Sequence, residues 1–180
     1  IETQFHHLVR TLPSNGLIVA NGCEQSLERV LQRGCWTTVE RFGTASGWEA
    51  GEPDAAGGFA VSFAGMAQGR VGRFELTGAH NRANALAALA AARHAGVPVA
   101  EGLRALESFR GIKRRLEVRG VVRGVTVIDD FAHHPTAIRV TLEGLRQRVG
   151  PARILAVLEP RSNTMKLGTM KAQLPESLKG

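Results

Sequence analysis

Short apolar runs, each ending in glycine or polar residues and followed by a helical pattern, constrain the fold of this chain more than any other feature. Gly16 to Gly22 is predicted to be a short buried strand, and Gln25 to Gln32 a short helix after it. The same order returns where an apolar run over 125–128 leads through a polar loop into a helix from Pro135 to Val149. Strands that alternate with helices predict an α/β fold.

Further elements are predicted between and around these two strand–helix pairs. The stretch from Trp36 to Leu76 is glycine-rich and irregular, and its alternating parts predict antiparallel strands that flank the sheet. The composition then shifts after Gly111, which predicts a domain boundary there, between residues 1–111 and 112–180. The other predicted elements are helices at 1–10, 81–95 and 100–109, antiparallel strands at 59–63 and near 71–76, a hairpin of strands 116–122 and 125–129 around Arg123-Gly124, and a buried strand at 154–158.

Composition excludes several classes of protein. The 43% hydrophobic content is enough for a core, and the longest uncharged apolar stretch, Ala85 to Ala92, is too short to cross a membrane. Because the first residues lack the layout of a signal peptide, we expect a cytoplasmic protein. Cys23 and Cys35 have neither the close spacing of a zinc site nor the density of a disulfide scaffold.

Both ends look cut, since the first helix lacks an N-cap residue, so we expect a fragment of a longer protein.

The formal charge of +7 raises the question of a nucleic-acid partner. The arginines are spread along the chain, and no aromatic residues are interleaved with them for base stacking. The only tight basic cluster is Lys113-Arg114-Arg115, whose guanidinium groups suit phosphate oxygens, although a solvated basic turn explains the same run. We therefore expect no nucleic acid, and phosphorylated small molecules account for the charge as well.

The segment from Asp129 to Pro135 places two carboxylates and two imidazoles between a strand end and a helix start, where open α/β sheets bind ligands. Asp129 or Asp130 could accept the hydroxyls of a ribose, and His133 or His134 could bind a phosphate or base. Neighbouring residues of a strand point to opposite sides, so neither pair is expected to act as a catalytic or metal-binding pair. The alternative is that Asp130 caps the helix and the histidines make structural hydrogen bonds.

Two further clusters carry binding chemistry. His80, Asn81 and Asn84 lie in the first turn of a predicted helix, where the two amides share a face and could contact the edge of a purine. An ordinary helix cap with solvated neighbours is the alternative. Polar residues also follow the predicted strand at 154–158, and they suit either a substrate loop or a simple turn. The candidates in that loop are Arg161, Ser162, Asn163 and Lys166.

These clusters together resemble the Mur ligase family, the ATP-dependent enzymes that add amino acids or peptides to UDP-N-acetylmuramic acid. The residues 78–85, 114–117 and 129–136 stand in the order and at the spacing of that family, and the resemblance covers nearly the whole chain. The segments 2–5 and 159–168 are most similar to the branch that joins the murein tripeptide L-Ala-γ-D-Glu-meso-diaminopimelate to UDP-N-acetylmuramate. The branch that adds L-alanine shares the histidine-rich segment and is the alternative.

The resemblance implies a place for each cluster in a protein of three domains. Residues 1–111 would be the C-terminal part of a central ATP-binding domain, and 112–180 the N-terminal part of a Rossmann-like C-terminal ligase domain. His80, Asn81 and Asn84 would then approach the adenine of ATP. Arg114 or Arg115 would approach the phosphates, and Asp129 or Asp130, with His133 or His134, the ribose side. The loop with Arg161, Ser162, Asn163 and Lys166 would face the incoming peptide.

One departure from the family pattern limits these implications. No Gly-x-x-x-x-Gly-Lys-Ser/Thr loop exists in these 180 residues, so most groups that hold the triphosphate and Mg²⁺ are missing. We assign no catalytic residue and no metal ligand here, and we predict that the chain alone is inactive. A non-catalytic nucleotide- or peptide-binding module is the alternative to a part of a ligase. The unpaired strand edges of two half-domains also predict self-association.

Overall fold

The structure is a computed structural model that describes residues 1–159, 168 and 171–178. The chain divides into two compact units. The first unit consists of Ile1–Glu75 and Ala79–Phe109, and the second of Leu76–Gly78 and Arg110–Gly180. Both units contain helices and strands, and the first has a sheet with parallel strands, which confirms the predicted α/β class. No helix among the described residues is long and apolar enough to span a membrane.

A five-stranded sheet forms the centre of the first unit, with the strands in sequence order. The first three strands are parallel, and the last two add antiparallel at one edge, as predicted for the glycine-rich stretch. The prediction near 71–76 was displaced, since that strand ends at Val71, and the second and third strands were not predicted. The strands are β1 Leu17–Asn21, β2 Thr38–Phe42, β3 Trp48–Ala50, β4 Phe59–Phe63 and β5 Met66–Val71.

The first unit has four helices among its described residues: α1 Glu2–Thr11, α2 Gln25–Gln32, α3 Ala79–His94 and α4 Val99–Ser108. The bounds of α2 match the prediction. Its N-cap residue is Glu24, whose side chain accepts a hydrogen bond from the Ser26 amide. The alanine-rich α3 lies on β1, β2 and β3, and the small side chains allow a close approach. The core of the first unit includes Trp48, Phe59, Val61, Val71, Leu86 and Ala90.

Trp48 anchors this core through both packing and polar contacts. Its side chain is fully buried, and its Nε1 donates a 2.9 Å hydrogen bond to Glu40 Oε2. Glu40 also accepts a hydrogen bond from Arg93, whose guanidinium carbon lies 5.3 Å from the Trp48 ring centroid and 4.9 Å from that of Phe63. The last turn of α3 is therefore tied to three strands of the sheet by one buried tryptophan and one ion pair.

The first helix contacts α2 with its polar side. Arg29 of α2 donates to Glu2 across 2.6 Å, and this hydrogen bond lowers the pKa of the Glu2 carboxyl. The predicted helix at 1–10 is confirmed, but Ile1 and Leu8 on its apolar face are 96% and 57% exposed. Only Val9 of that face is buried. The hydrophobic pattern thus predicted the helix correctly without showing what it packs against.

The second unit contains an antiparallel hairpin of β6 Glu117–Val122 and β7 Val125–Asp129, followed by α5 Pro135–Val149 and a short 3-10 helix at Glu176–Leu178. The hairpin and α5 are confirmed predictions. Arg123 and Gly124 both have positive φ, 51° and 78°, which suits the tight turn between twisted strands. Pro135 opens α5, where its missing N–H and fixed φ fit the first turn.

The prediction of a buried strand at 154–158 is wrong in this structure. The segment forms no strand, and Leu155 and Val157 are 78% and 91% exposed. A strand needs a neighbour for its backbone hydrogen bonds, and among the described residues of this unit β6 and β7 pair only with each other. The apolar run predicts burial correctly only where the chain also provides a strand for it to pair with.

Candidate functional site

Two of the four sequence clusters lie together at the open end of the hairpin. We call residues 112–116 the basic loop and residues 129–134 the histidine loop. The basic loop precedes β6 and the histidine loop begins at the end of β7, and Glu117 pairs with Asp129 across the hairpin. The Phe131 amide donates a 2.8 Å hydrogen bond to the Arg114 carbonyl, which joins the loops directly. The antiparallel register therefore brings these clusters together.

Asp130 holds this arrangement with its half-buried carboxylate. One oxygen accepts a hydrogen bond from the Leu116 amide at 2.9 Å, and the other accepts from the Ala132 amide at 2.7 Å and the Thr141 hydroxyl at 3.4 Å. Its partners thus come from the basic loop, the histidine loop and α5. The alternative that Asp130 caps the helix is wrong, because the N-cap residue of α5 is His134.

The neighbouring carboxylate has a different partner. Asp129 Oδ2 lies 3.4 Å from Arg114 Nε, and the Arg114 guanidinium carbon lies 5.0 Å from the Phe131 ring centroid. Arg114 therefore has both an ion pair and a cation–π contact within the site. Arg115 is exposed, and none of the described residues forms an ion pair with its guanidinium. Of these two arginines, Arg115 is the one available to an anionic ligand.

The basic loop has an unusual backbone. Arg114 and Leu116 adopt left-handed backbone conformations with φ of 59° and 49°, which residues other than glycine rarely adopt. The Arg114 amide donates to Glu117 Oε2 at 2.9 Å, just as the Leu116 amide donates to Asp130. Glu117 entered the sequence prediction as the end of the segment 114–117 that resembles the Mur ligase family, and no role was predicted for it. Its position three residues after Arg114 is the signal that could have indicated this contact.

The two histidines use the same ring nitrogen in opposite ways. His134 Nδ1 accepts a 3.3 Å hydrogen bond from the Thr136 amide, so the proton of its neutral ring lies on Nε2. His133 Nδ1 lies 2.9 Å from the Phe131 carbonyl oxygen, so it must carry the proton there. In their neutral forms His134 therefore offers a donor at Nε2, and His133 an acceptor. Both make the structural hydrogen bonds that the sequence alternative predicts.

Replacing His134 by alanine is expected to reduce the free energy of unfolding by about 1 kcal/mol, because the helix loses its N-cap acceptor. His134→Asn is expected to restore most of this loss, since an asparagine oxygen caps helices well. Urea denaturation followed by far-ultraviolet circular dichroism measures both values. His7→Ala, at an exposed position of α1, is the control. Equal losses for the alanine and asparagine variants would contradict the capping role.

A third cluster belongs to the first unit, and the fourth is not described by the structure. His80, Asn81 and Asn84 are in the first turns of α3, in the first unit, after Gly78 with φ of 94°. His80 and Asn81 are half-buried and Asn84 is exposed. The four predicted substrate-loop residues lie outside the described part of the chain. Among described residues, no group of three or more His, Cys, Asp or Glu side chains could hold a metal ion. The four substrate-loop residues are Arg161, Ser162, Asn163 and Lys166.

Charge is divided unevenly between the two units. The second unit has fourteen Lys and Arg against six Asp and Glu, a net charge of +8. The first has nine against ten, a net charge of −1, and the two values give the +7 of the whole chain. The positive excess therefore belongs to the unit that contains the basic loop and the histidine loop.

Comparison with known proteins places this site in a family. The model of the Mur ligase glutamate ligase domain matches residues 114–177, which include most of the basic loop and all of the histidine loop. The UDP-N-acetylmuramate–L-alanyl-γ-D-glutamyl-meso-2,6-diaminoheptandioate ligase of Escherichia coli (strain K12) is 49% identical over 180 residues, which cover 99% of this chain and 39% of that protein. The chain belongs to the Mur ligase family.

Two other Mur ligases are also similar to this chain along most of its length. A murein peptide ligase from Psychrobacter arcticus 273-4, solved at 1.65 Å, is 42% identical and superposes with a TM-score of 0.73 over 98% of this chain and 38% of its own. The UDP-N-acetylmuramate–L-alanine ligase of Acidothermus cellulolyticus is 34% identical over 169 residues, covering 89% of this chain and 35% of that protein. This Mur ligase chain spans about 40% of the length of the Escherichia coli ligase and of its Haemophilus influenzae counterpart, which is 47% identical.

Proposed function

We propose that this chain is part of an ATP-dependent amide-forming ligase that joins the tripeptide L-Ala-γ-D-Glu-meso-diaminopimelate to UDP-N-acetylmuramate. The observation that carries the proposal is the 49% identity to a tripeptide ligase over 180 residues, since L-alanine ligases reach 47% over only 53% of this chain and 34% over 169 residues. The proposed substrates are a nucleotide-linked sugar and a peptide, both small and polar, and the proposed location is the cytoplasm. ATP would supply the phosphoryl group that activates the muramyl carboxylate.

The second unit is proposed to bind the phosphates and ribose of ATP. Arg115 is the proposed phosphate ligand, since its guanidinium is exposed and has no ion pair with the described residues. Arg114 is less suited, because it already contacts Asp129 and Phe131. The Nε2 donor of His134 suits a phosphate or hydroxyl oxygen, and Asp129 or Asp130 could accept from the ribose.

Other groups of the proposed reaction have weaker support. His80, Asn81 and Asn84 are proposed to contact adenine, for which their amide and imidazole groups offer donors and acceptors. The loop with Arg161, Ser162, Asn163 and Lys166 is proposed to face the tripeptide. The described residues do not fit Mg²⁺, since they contain no suitable group of three ligands. Its ligands are therefore expected elsewhere, and the residues of this chain bind and orient substrates.

An assay of the full-length protein encoded by the gene that carries this sequence tests the proposal. The protein receives UDP-N-acetylmuramate, Mg²⁺, ATP and either the tripeptide or L-alanine, and mass spectrometry detects the amide product. We expect product only with ATP, and mainly with the tripeptide. The 180-residue chain alone serves as a second sample, from which we expect no turnover.

Each other outcome has a defined meaning. Preference for L-alanine would show that the amine substrate is L-alanine and not the tripeptide. ATP binding without product from either amine would favour a nucleotide-binding module. Turnover by the 180-residue chain alone would contradict the expectation that essential groups lie outside it.

A further inference from the structure

Arg115 is held between two left-handed residues. Arg114 and Leu116 on either side of it have φ of 59° and 49°. Left-handed conformations are unfavourable for residues other than glycine, so they persist only where other contacts hold them in place. Because one such residue precedes Arg115 and another follows it, the backbone fixes the direction in which the Arg115 side chain leaves the loop.

Two carboxylates stabilise the turn, one at each left-handed residue. Glu117 Oε2 accepts from the Arg114 amide at 2.9 Å, and Asp130 Oδ2 accepts from the Leu116 amide at 2.9 Å. Both acceptors lie at the open end of the hairpin, because Glu117 begins β6 and Asp130 follows the end of β7. The hairpin therefore supports the backbone on both sides of Arg115.

Glu117 is itself held in place by its neighbours, and its negative charge is paired with Arg119. Its other carboxylate oxygen accepts from Arg119 Nη1 at 2.9 Å. The Arg114 amide, and then the Arg119 guanidinium, lower the pKa of the Glu117 carboxyl. A lowered pKa means that the stabilising contact is complete above the usual pKa of a glutamate and is lost as the pH falls through the lowered value. At neutral pH the carboxylate is ionised and in place.

We propose that Glu117 is a positioning residue that directs Arg115 toward the phosphates of the bound nucleotide. This inference rests on the proposed function and adds to it a residue that touches no substrate. The ion pairs around the turn support it, since Arg119 pairs with Glu117 and Arg114 with Asp129. Glu117 and Asp129 thus have basic partners of their own, and the exposed Arg115 guanidinium remains available for an anion.

The test compares two ligands of the full-length protein by calorimetry at neutral pH. The ligands are the non-hydrolysable β,γ-imido analogue of ATP and adenosine, which has no phosphates. Glu117→Ala is expected to raise the Kd of the analogue about tenfold and to leave that of adenosine unchanged. Glu117→Gln is expected to stay within about threefold of wild type, because its amide oxygen still accepts from the Arg114 amide. Glu143→Ala, which removes an exposed pair with Arg139, is the matched control and is expected to change neither Kd.

A double variant shows whether Glu117 acts through Arg115. In the Arg115→Ala background, Glu117→Ala is expected to add no further loss, since the side chain that it positions is gone. Independent losses that multiply would overturn the inference, and so would an unchanged analogue Kd in Glu117→Ala. Equal weakening of both ligands would indicate a general structural defect and would also overturn it. If wild type binds the analogue but Glu117→Ala matches it, only this inference fails; if wild type does not bind, the proposed function fails as well.

Discussion

Replacing Arg115 by alanine is expected to weaken ATP binding to the full-length protein by a factor of about 30, since a hydrogen bond between charged groups contributes about 2 kcal/mol. The reason is that the two adjacent arginines differ in the contacts that they make within the protein. Arg114 already has Asp129 at 3.4 Å and the Phe131 ring at 5.0 Å, whereas Arg115 is exposed and has no ion pair among the described residues. Arg114→Ala is therefore expected to have a smaller effect. Isothermal titration calorimetry with the β,γ-imido analogue measures both.

Two further variants make this prediction specific. Arg115→Lys keeps the charge but lacks the planar guanidinium fork, so we expect it to recover only part of the affinity. Arg139→Ala removes another exposed arginine of the second unit, one that pairs with Glu143, and is expected to have no effect on ATP binding. A larger loss of ATP affinity in Arg114→Ala than in Arg115→Ala would show that Arg114, and not Arg115, binds the phosphates.

Trp48→Ala is expected to reduce the free energy of unfolding of the first unit by about 4 kcal/mol, the usual range for removing a large buried aromatic side chain. Trp48 is fully buried, and its loss leaves a cavity between α3 and the sheet. It also removes the indole donor to Glu40 and the ring beneath the Arg93 guanidinium. Urea denaturation followed by far-ultraviolet circular dichroism measures the change.

The second tryptophan of the chain provides the control. Trp36 is 69% exposed, so Trp36→Ala is expected to change the free energy of unfolding by less than about 0.5 kcal/mol. The two variants lose the same atoms and differ in burial. Similar losses from both would show that Trp48 does not anchor the core as the structure indicates.

The fold was predictable where local chemistry determines it. The bounds of α2 and α5 follow from features within a few residues, namely the residues that cap them and Pro135 at the start of α5. The strand β2 was missed because its sequence, Thr-Val-Glu-Arg-Phe, has no regular alternation, and its partner β1 lies about twenty residues away. The segment 154–158 failed for the opposite reason, since a strongly apolar run cannot show whether a strand is available to pair with it.

For the site, sequence could identify groups but not distinguish neighbours. Arg114 and Arg115 are equivalent in the printed sequence, as are Asp129 and Asp130, and only their partners across the hairpin separate them. The same holds for His133 and His134, whose Nδ1 atoms have opposite hydrogen-bonding roles. Glu117 acquires a role only when the left-handed turn is known, because a backbone conformation of this kind is unexpected for arginine and leucine. Contacts to nucleotide and peptide for all these residues stay predictions.

The uneven charge of the two units has a kinetic consequence. A net charge of +8 on the second unit, against −1 on the first, creates an electric field that attracts anions to the second unit before any contact is made. At physiological ionic strength this attraction is screened over about 8 Å, so it acts on the final approach of a ligand. Triphosphates would arrive faster in dilute buffer than in concentrated salt, while neutral molecules would not feel the difference.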